Sequence, residues 1–349
     1  MARSKHYLAT PPGFTIKEQL EDREMTQKEF AIRMGLSEKH VSRLINGEVQ
    51  LTPEMAVRLE YVLGVPASFW TNLEAIYREK LAKVEEENTM DADIELMRKL
   101  PYAEMANNQW IEKKSDPREK VVELRKYFEV VDLSLIINSK LMRIACRRLA
   151  DTEKADYALI AWAQKAKLEA RRISTKEIDI KTLRSILPDI RMMTTLASEE
   201  FCPKLVSMLS DCGIALVFLP HIGGSFLHGA TFYDGNKIVI GLTVRGKDAD
   251  RFWFSLFHEL SHILKNDIAK PEGTSEDDEK QADTFARDTL IPYDAYDAFA
   301  RIGRFDERSI IEFAKEQRIA PYIVLGRLQK DKFVLYSQFQ HLKVKYEIA

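Results

Sequence analysis

The chain has 349 residues, of which 45% are hydrophobic and 30% charged, and its formal net charge is −2 at pH 7. That length exceeds what one core usually organises and sets an expectation of two or three domains. The composition excludes a disordered or collagen-like chain, and with no run of about 18 apolar residues and no signal-peptide pattern the expectation is a cytoplasmic protein without a membrane partner.

The first 80 residues read as short helices divided by turn signals: FTIKEQLEDRE, TQKEFAIRM, SEKHVSRLIN, TPEMAVRLEYVL and SFWTNLEAIYREK. Thr26, Ser37, Thr52 with Pro53, and Ser68 stand where helices should start, and Gly35, Gly47 and Gly64 where they should stop. Two short helices around Gly35-Leu36-Ser37 form the layout of a helix-turn-helix. On its second helix Glu38, Lys39, His40, Ser42 and Arg43 are expected outward, with Val41, Leu44 and Ile45 inward. Ser37, Lys39, His40, Ser42 and Arg43 would meet base edges or phosphates of double-stranded DNA, and Gln27 the DNA backbone. Glu38 could read cytosine or sit in solvent. The competing reading is a plain helical bundle whose charged faces are only solvated. A net charge near zero excludes neither, because a basic face can be local.

Through PPGFTIKEQL, TQKEFAIRMGLSEKHVSRLINGE, LTPEMAVRLEYVLGV and FWTNLEAIY, residues 11–77 resemble the HigA-type antitoxins of the XRE repressor class. The resemblance implies a transcription regulator of antitoxin type, binding a two-fold operator as a homodimer. Of the outward residues, Lys39, Ser42 and Arg43 are the preferred contacts.

Residues 81–204 keep a helical pattern with less punctuation and are expected to form a helical linker. Pro101 and Pro117 break the run, and VVELRKYFEV and DYALIAWAQKAKLEARRI carry apolar residues near a 3.6 period. The three cysteines, Cys146, Cys202 and Cys212, are odd in number and form no C-x-x-C pair, so they are expected as reduced core thiols. After Gly213 the pattern changes. IALVFLP is a strand-type run, and HGATFYDGNKIVIGL reads as two strands joined around Asp234-Gly235-Asn236.

The next segment, FWFSLFHELSHILKND, carries H-E-x-x-H. On a helix His258 and His262 project from one face and can share one ion, while Glu259 can act on a water as general base. A catalytic zinc normally takes three protein ligands. In EDDEKQADTFARDTLIP, Glu279 can be the third, and Asp283, one turn on, can accept the outer ring N–H of a histidine. The competing reading is a buried helix with two polar interruptions. For the oxyanion of a peptidase reaction His228, Tyr233 and Arg245 are candidates, and the sequence does not choose among them.

Through RFWFSLFHELSHIL and the later E-x-x-A-D-x-F-A-x-x-T-L-I-P, residues 205–335 resemble the ImmA/IrrE zinc metallopeptidases. The resemblance implies a zincin-like fold, with Zn2+ held by His258, His262 and Glu279, and Glu259 as general base. A final stretch, ERSIIEFAKEQRIAPYIVLGRLQKD, has a weak helix-turn-helix look but no exposed basic face, and is expected to pack on the peptidase domain.

The expectation is therefore a multidomain, mainly α chain: an all-α helix-turn-helix domain at 1–80, a helical linker at 81–204, and an α+β zincin-like domain at 205–349. Its partners would be an operator and a protein substrate such as a repressor, a toxin or a copy of itself. The rival is a non-proteolytic antitoxin whose zincin-like half only senses or grips a partner.

Overall fold

The structure is a computed structural model that describes residues 2–137, 153–223, 229–243, 248–270 and 273–347. It divides into two compact units, Met1–Ile94 and Glu95–Ala349.

The first unit opens with a short antiparallel hairpin, β1 (Ala2–Arg3) and β2 (Leu8–Ala9), followed by α1 (Gly13–Glu21), α2 (Gln27–Met34), α3 (Glu38–Ile45), α4 (Pro53–Leu63) and α5 (Ala67–Asn88). Local chemistry sets these helices. The hydroxyls of Thr26, Ser37 and Thr52 accept the backbone N–H of Glu29, His40 and Met55 at 3.2, 3.2 and 3.3 Å, closing each first turn. Gly35 and Gly64 end α2 and α4 at φ of 65° and 71°, where a side chain would be strained. Arg58 on α4 donates to the Met34 carbonyl at 3.0 Å, capping α2 from outside. Phe30, Val41, Leu44, Leu59 and Trp70 fill the core between these helices.

Two helix ends differ from expectation. Ser68 is not a cap, since α5 starts at Ala67 after Pro66 and the Glu60 carboxylate accepts the Ala67 N–H. Helix α5 also continues past Lys80 to Asn88, because Tyr77 and Val84 extend its apolar stripe against Ala9 of the hairpin.

The division falls within α6 (Asp91–Lys99), and the second unit then takes in α7 (Tyr102–Asn107), α8 (Pro117–Phe128), α9 (Ser134–Ile137), α10 (Glu153–Ala170), α11 (Ile180–Met192) and α12 (Ser198–Ser210). Pro117 starts a helix instead of breaking one: it occupies the first turn of α8, and Asp116 accepts the Arg118 N–H at 2.9 Å. Cys212 is buried and Cys202 half-buried, both as free thiols, and Cys146 lies outside the described residues.

Strands β3 (Ile214–Phe218), β4 (Gly229–Asp234) and β5 (Lys237–Leu242) form a sheet in the order β3-β5-β4. β3 runs parallel to β5, and β4 pairs with it antiparallel through a two-residue turn at Gly235-Asn236, with Gly235 at φ 63°. The stretch expected as a linker supplies one cover of this sheet. Trp162 of α10 is fully buried, and a Cβ at Gly241 of β5 would lie 2.5 Å from its ring. Tyr127 of α8 donates to the Ala161 carbonyl at 2.7 Å, which ties α8 to α10.

Beyond the sheet come α13 (Ala249–Leu264), α14 (Glu276–Leu290), α15 (Tyr293–Ile302), α16 (Glu307–Glu316) and α17 (Pro321–Lys330). Trp253, Leu256, Phe257 and Leu260 of α13 share one core with Ile240 of the sheet and Ala286 of α14. Ile310 and Phe313 of α16 and Leu325 and Leu328 of α17 enter the same core, so the terminal helix pair is packing. Among the described residues no helix is long and apolar enough to cross a membrane.

Candidate metal centre and helix-turn-helix face

Helix α13 is apolar on the face that meets the sheet, and His258 and His262 sit one turn apart where it meets α14. Their Nε2 atoms are 3.2 Å apart. Glu279 of α14 brings one carboxylate oxygen to 3.2 Å from His258 Nε2 and the other to 3.5 Å from His262 Nε2. Bonds of 2.0–2.1 Å at tetrahedral angles put neighbouring ligand atoms about 3.3 Å apart. Two imidazole nitrogens and one carboxylate at these separations therefore fit a zinc-type ion.

The outer ring nitrogens are both held. His258 Nδ1 donates to Asp283 at 2.8 Å, and His262 Nδ1 donates to Asp267 at 3.2 Å. Each contact keeps a proton on Nδ1, so that Nε2, which faces Glu279, can present its lone pair where a cation replaces the proton there. Burial pushes the Glu279 carboxyl up, but hydrogen bonds from His258, His262 and Thr274 override it and hold Glu279 far below the usual carboxylate range. The hydrogen bond from His258 likewise holds Asp283 below that range. Burial pulls His262 down, yet its bond to Glu279 and the charges of Glu259 and Glu279 leave it above the ordinary imidazole value. Such a pocket favours positive charge, which a metal cation supplies in place of a proton.

Glu259 reaches the sheet while its charge still acts on His262. It is 2% exposed, and its Oε2 accepts the Thr231 hydroxyl of β4 at 2.8 Å. Gly229 on the same strand lies close against this carboxylate: a Cβ there would lie 3.0 Å from Glu259 Oε1 and 2.8 Å from Leu242, so a larger residue would push on both. Of the oxyanion candidates, His228 and Arg245 lie outside the described residues. Tyr233 is 43% exposed and donates its hydroxyl to Asn266 at 3.3 Å.

Sequence reading missed Asp267, Thr231 and Gly229. One signal was available for Asp267: two coordinating histidines need two acceptors for their outer N–H groups, and Asp283 can serve only one. Asn266 at φ 60° turns the chain back after α13, so that Asp267 returns to His262 from five residues on. Lys270 then pairs with Asp267 at 2.9 Å and with Asp278 of α14 at 2.7 Å.

In the first unit Gln27, Ser37, Lys39, Ser42 and Arg43 are exposed. His40 departs from its expected outward placement. It is half-buried, and its Nε2 has no hydrogen-bond partner among the described residues. Ser37 spends its oxygen on the cap of α3, and Arg43 Nε lies 3.5 Å from Glu48.

Comparison with known proteins follows this division. Residues 16–70 match the family model described as helix-turn-helix. The uncharacterized HTH-type transcriptional regulator YddM of Escherichia coli strain K12 is 36% identical over 80 residues, 23% of this chain and 81% of that protein. The chain belongs to the HTH-type transcriptional regulators. The uncharacterized HTH-type transcriptional regulator YbaQ of the same strain is 38% identical over 66 residues, 19% of this chain and 58% of that protein. Residues 217–346 of the regulator match a peptidase-family model described as IrrE N-terminal-like domain. It is thus a DNA-binding regulator that carries an IrrE-like domain, and that domain contains the His258, His262 and Glu279 cluster.

Proposed function

We propose that this regulator is an antitoxin-type repressor whose second half is a zinc-dependent endopeptidase, cleaving a protein partner such as a repressor, a toxin or another copy of itself. The helix-turn-helix domain would occupy residues 1–80, the helical region 81–204, and the peptidase domain 205–349. A cytoplasmic homodimer on a two-fold operator follows from this reading. The single observation that carries the enzymatic part is the convergence of His258, His262 and Glu279 donor atoms within 4.8 Å of one another, with a carboxylate behind each histidine and a fourth carboxylate, Glu259, beside them.

His258, His262 and Glu279 would hold the ion, and Asp283 and Asp267 would orient the two rings. When bound, zinc supplies Lewis-acid polarisation of water and of a carbonyl. Glu259 would accept a proton from the attacking water and return it to the leaving amine. Thr231, through its 2.8 Å bond, positions that carboxylate. At the other end of the chain, Lys39, Ser42 and Arg43 would contact the operator, with Gln27 and Ser37 at its phosphates and His40 set back from them.

One observation favours the rival, a regulator that senses or grips without cutting: Glu259 is nearly inaccessible and already bonded to Thr231. Elemental analysis of the wild type, Glu259→Gln and His262→Ala, with each then incubated with cell lysate, separates the two. The peptidase reading expects about one zinc per chain, its loss in His262→Ala, and cleavage products absent with Glu259→Gln. Zinc without Glu259-dependent products would support the rival; no zinc in the wild type would remove the metal reading.

A further inference from the structure

A cleft of about 530 Å³ opens where α6, α7, α8 and the first turns of α10 meet, and it shares no residue with the metal centre. Its charge is one-sided. Lys99, Lys120 and Lys154 reach it from three different helices, and Arg98 adds a fourth cation against the single carboxylate of Glu104. In a chain whose net charge is −2, that is a local reversal.

The negative group is turned into the wall. Glu104 accepts the backbone N–H of Gly223, and a Cβ at 223 would lie 2.8 Å from Glu104 Oε1, so a larger residue there would make the carboxylate shift. Arg98 is engaged by Glu95. Lys99, 5.9 Å from the ring centre of Tyr157, is engaged elsewhere, whereas Lys120 lies 5.3 Å from the ring centre of the buried Tyr102. An aromatic face holds an ammonium in place without neutralising it. Among the described residues no carboxylate is within ion-pair distance of Lys120 or Lys154.

We propose that this cleft binds a small soluble molecule bearing phosphate groups, with Lys120 and Lys154 as its charge contacts. Lysine ammoniums serve phosphate as point charges, and ligand clefts of roughly 300–1,000 Å³ accommodate molecules of nucleotide size. The site suits a signal. Lys154 and Tyr157 stand at the start of α10, whose Trp162 packs on Gly241 of the sheet and donates to the Pro220 carbonyl at 3.2 Å. A ligand there would stiffen the helix that covers the sheet presenting Thr231 to Glu259.

Binding can be read without turnover, so the test stands apart from the peptidase reading. Titration calorimetry of the full chain at fixed ionic strength would use inorganic pyrophosphate and ADP as probes. The expected result is saturable binding with Kd below about 1 mM, weakened at least about tenfold in Lys120→Gln/Lys154→Gln, restored in Lys120→Arg/Lys154→Arg, and unchanged in Arg43→Ala. Absence of saturable heat with both probes up to about 10 mM would overturn the proposal. So would binding that survives the paired Gln substitution, or binding lost in Arg43→Ala, which would place it on the helix-turn-helix. Should the paired variant melt early by circular dichroism, Lys154→Gln alone decides, because Lys154 is exposed.

Discussion

The helix-turn-helix and the candidate metal centre hold their working side chains by opposite means. On α3 those side chains stand mostly in solvent, and the frame beneath them is set by contacts a few residues long: the caps of Thr26, Ser37 and Thr52, and the left-handed Gly35. At the metal centre His262 and Glu259 are nearly inaccessible, and their partners come from β4, from the turn after α13 and from α14. The lesson is about tolerance. A surface reader can lose one contact and keep its shape, whereas a buried donor cluster that loses one carboxylate leaves a ring nitrogen unpaired.

Substitutions graded by size break or sharpen that contrast. The largest effect is expected for Glu279→Gln, which removes the only proposed carboxylate ligand: zinc content should fall from about one per chain toward zero, while operator binding in a gel-shift assay stays intact. Lost operator binding would show that the two regions are not separable. Next, Glu259→Gln should lower cleavage by about 10²–10⁴-fold with zinc retained; elemental analysis beside the lysate assay checks both halves of that statement. Asp267→Asn should weaken zinc affinity by about 10–100-fold in a chelator competition, an effect that a solvated surface aspartate would not show.

On the other side of the contrast, Arg43→Ala should reduce operator affinity about tenfold and lower the salt slope by about 1; an unchanged slope would reassign Arg43 to its Glu48 partner. The smallest effect is expected for Ser37→Ala, which should cost about 1 kcal/mol in the melting of the first unit through loss of the α3 cap. Zinc affinity should not move. A change there would mean that a local cap in one region governs the buried cluster in the other.

Legibility in the sequence follows the same line. The helix starts at Thr26, Ser37 and Thr52, the stops at Gly35 and Gly64, and the hairpin turn at Gly235 were readable because each depends on neighbours within four residues. The convergence of His258, His262 and Glu279 was readable because helical periodicity puts the pair on one face and because the motif resembles a known family. Ser68 misled because the Glu60 carboxylate, seven residues from Ala67, took over the capping role. His40 is half-buried where outward placement was expected, because periodicity places a side chain on a face without fixing its depth.

By itself the sequence determined the helix boundaries that rest on caps and glycines, the order of strands and helices, and the presence of two imidazoles and two carboxylates in ligand-like spacing. Tertiary structure alone decided that α10 covers the sheet, that Asp267 turns back to His262, that Thr231 meets Glu259 across 28 residues of chain, and that three lysines from separate helices share one cleft. The physical reason is range. Capping and turn chemistry are settled by neighbouring dihedrals, while burial, charge pairing and cleft formation depend on which surfaces the packed core brings together.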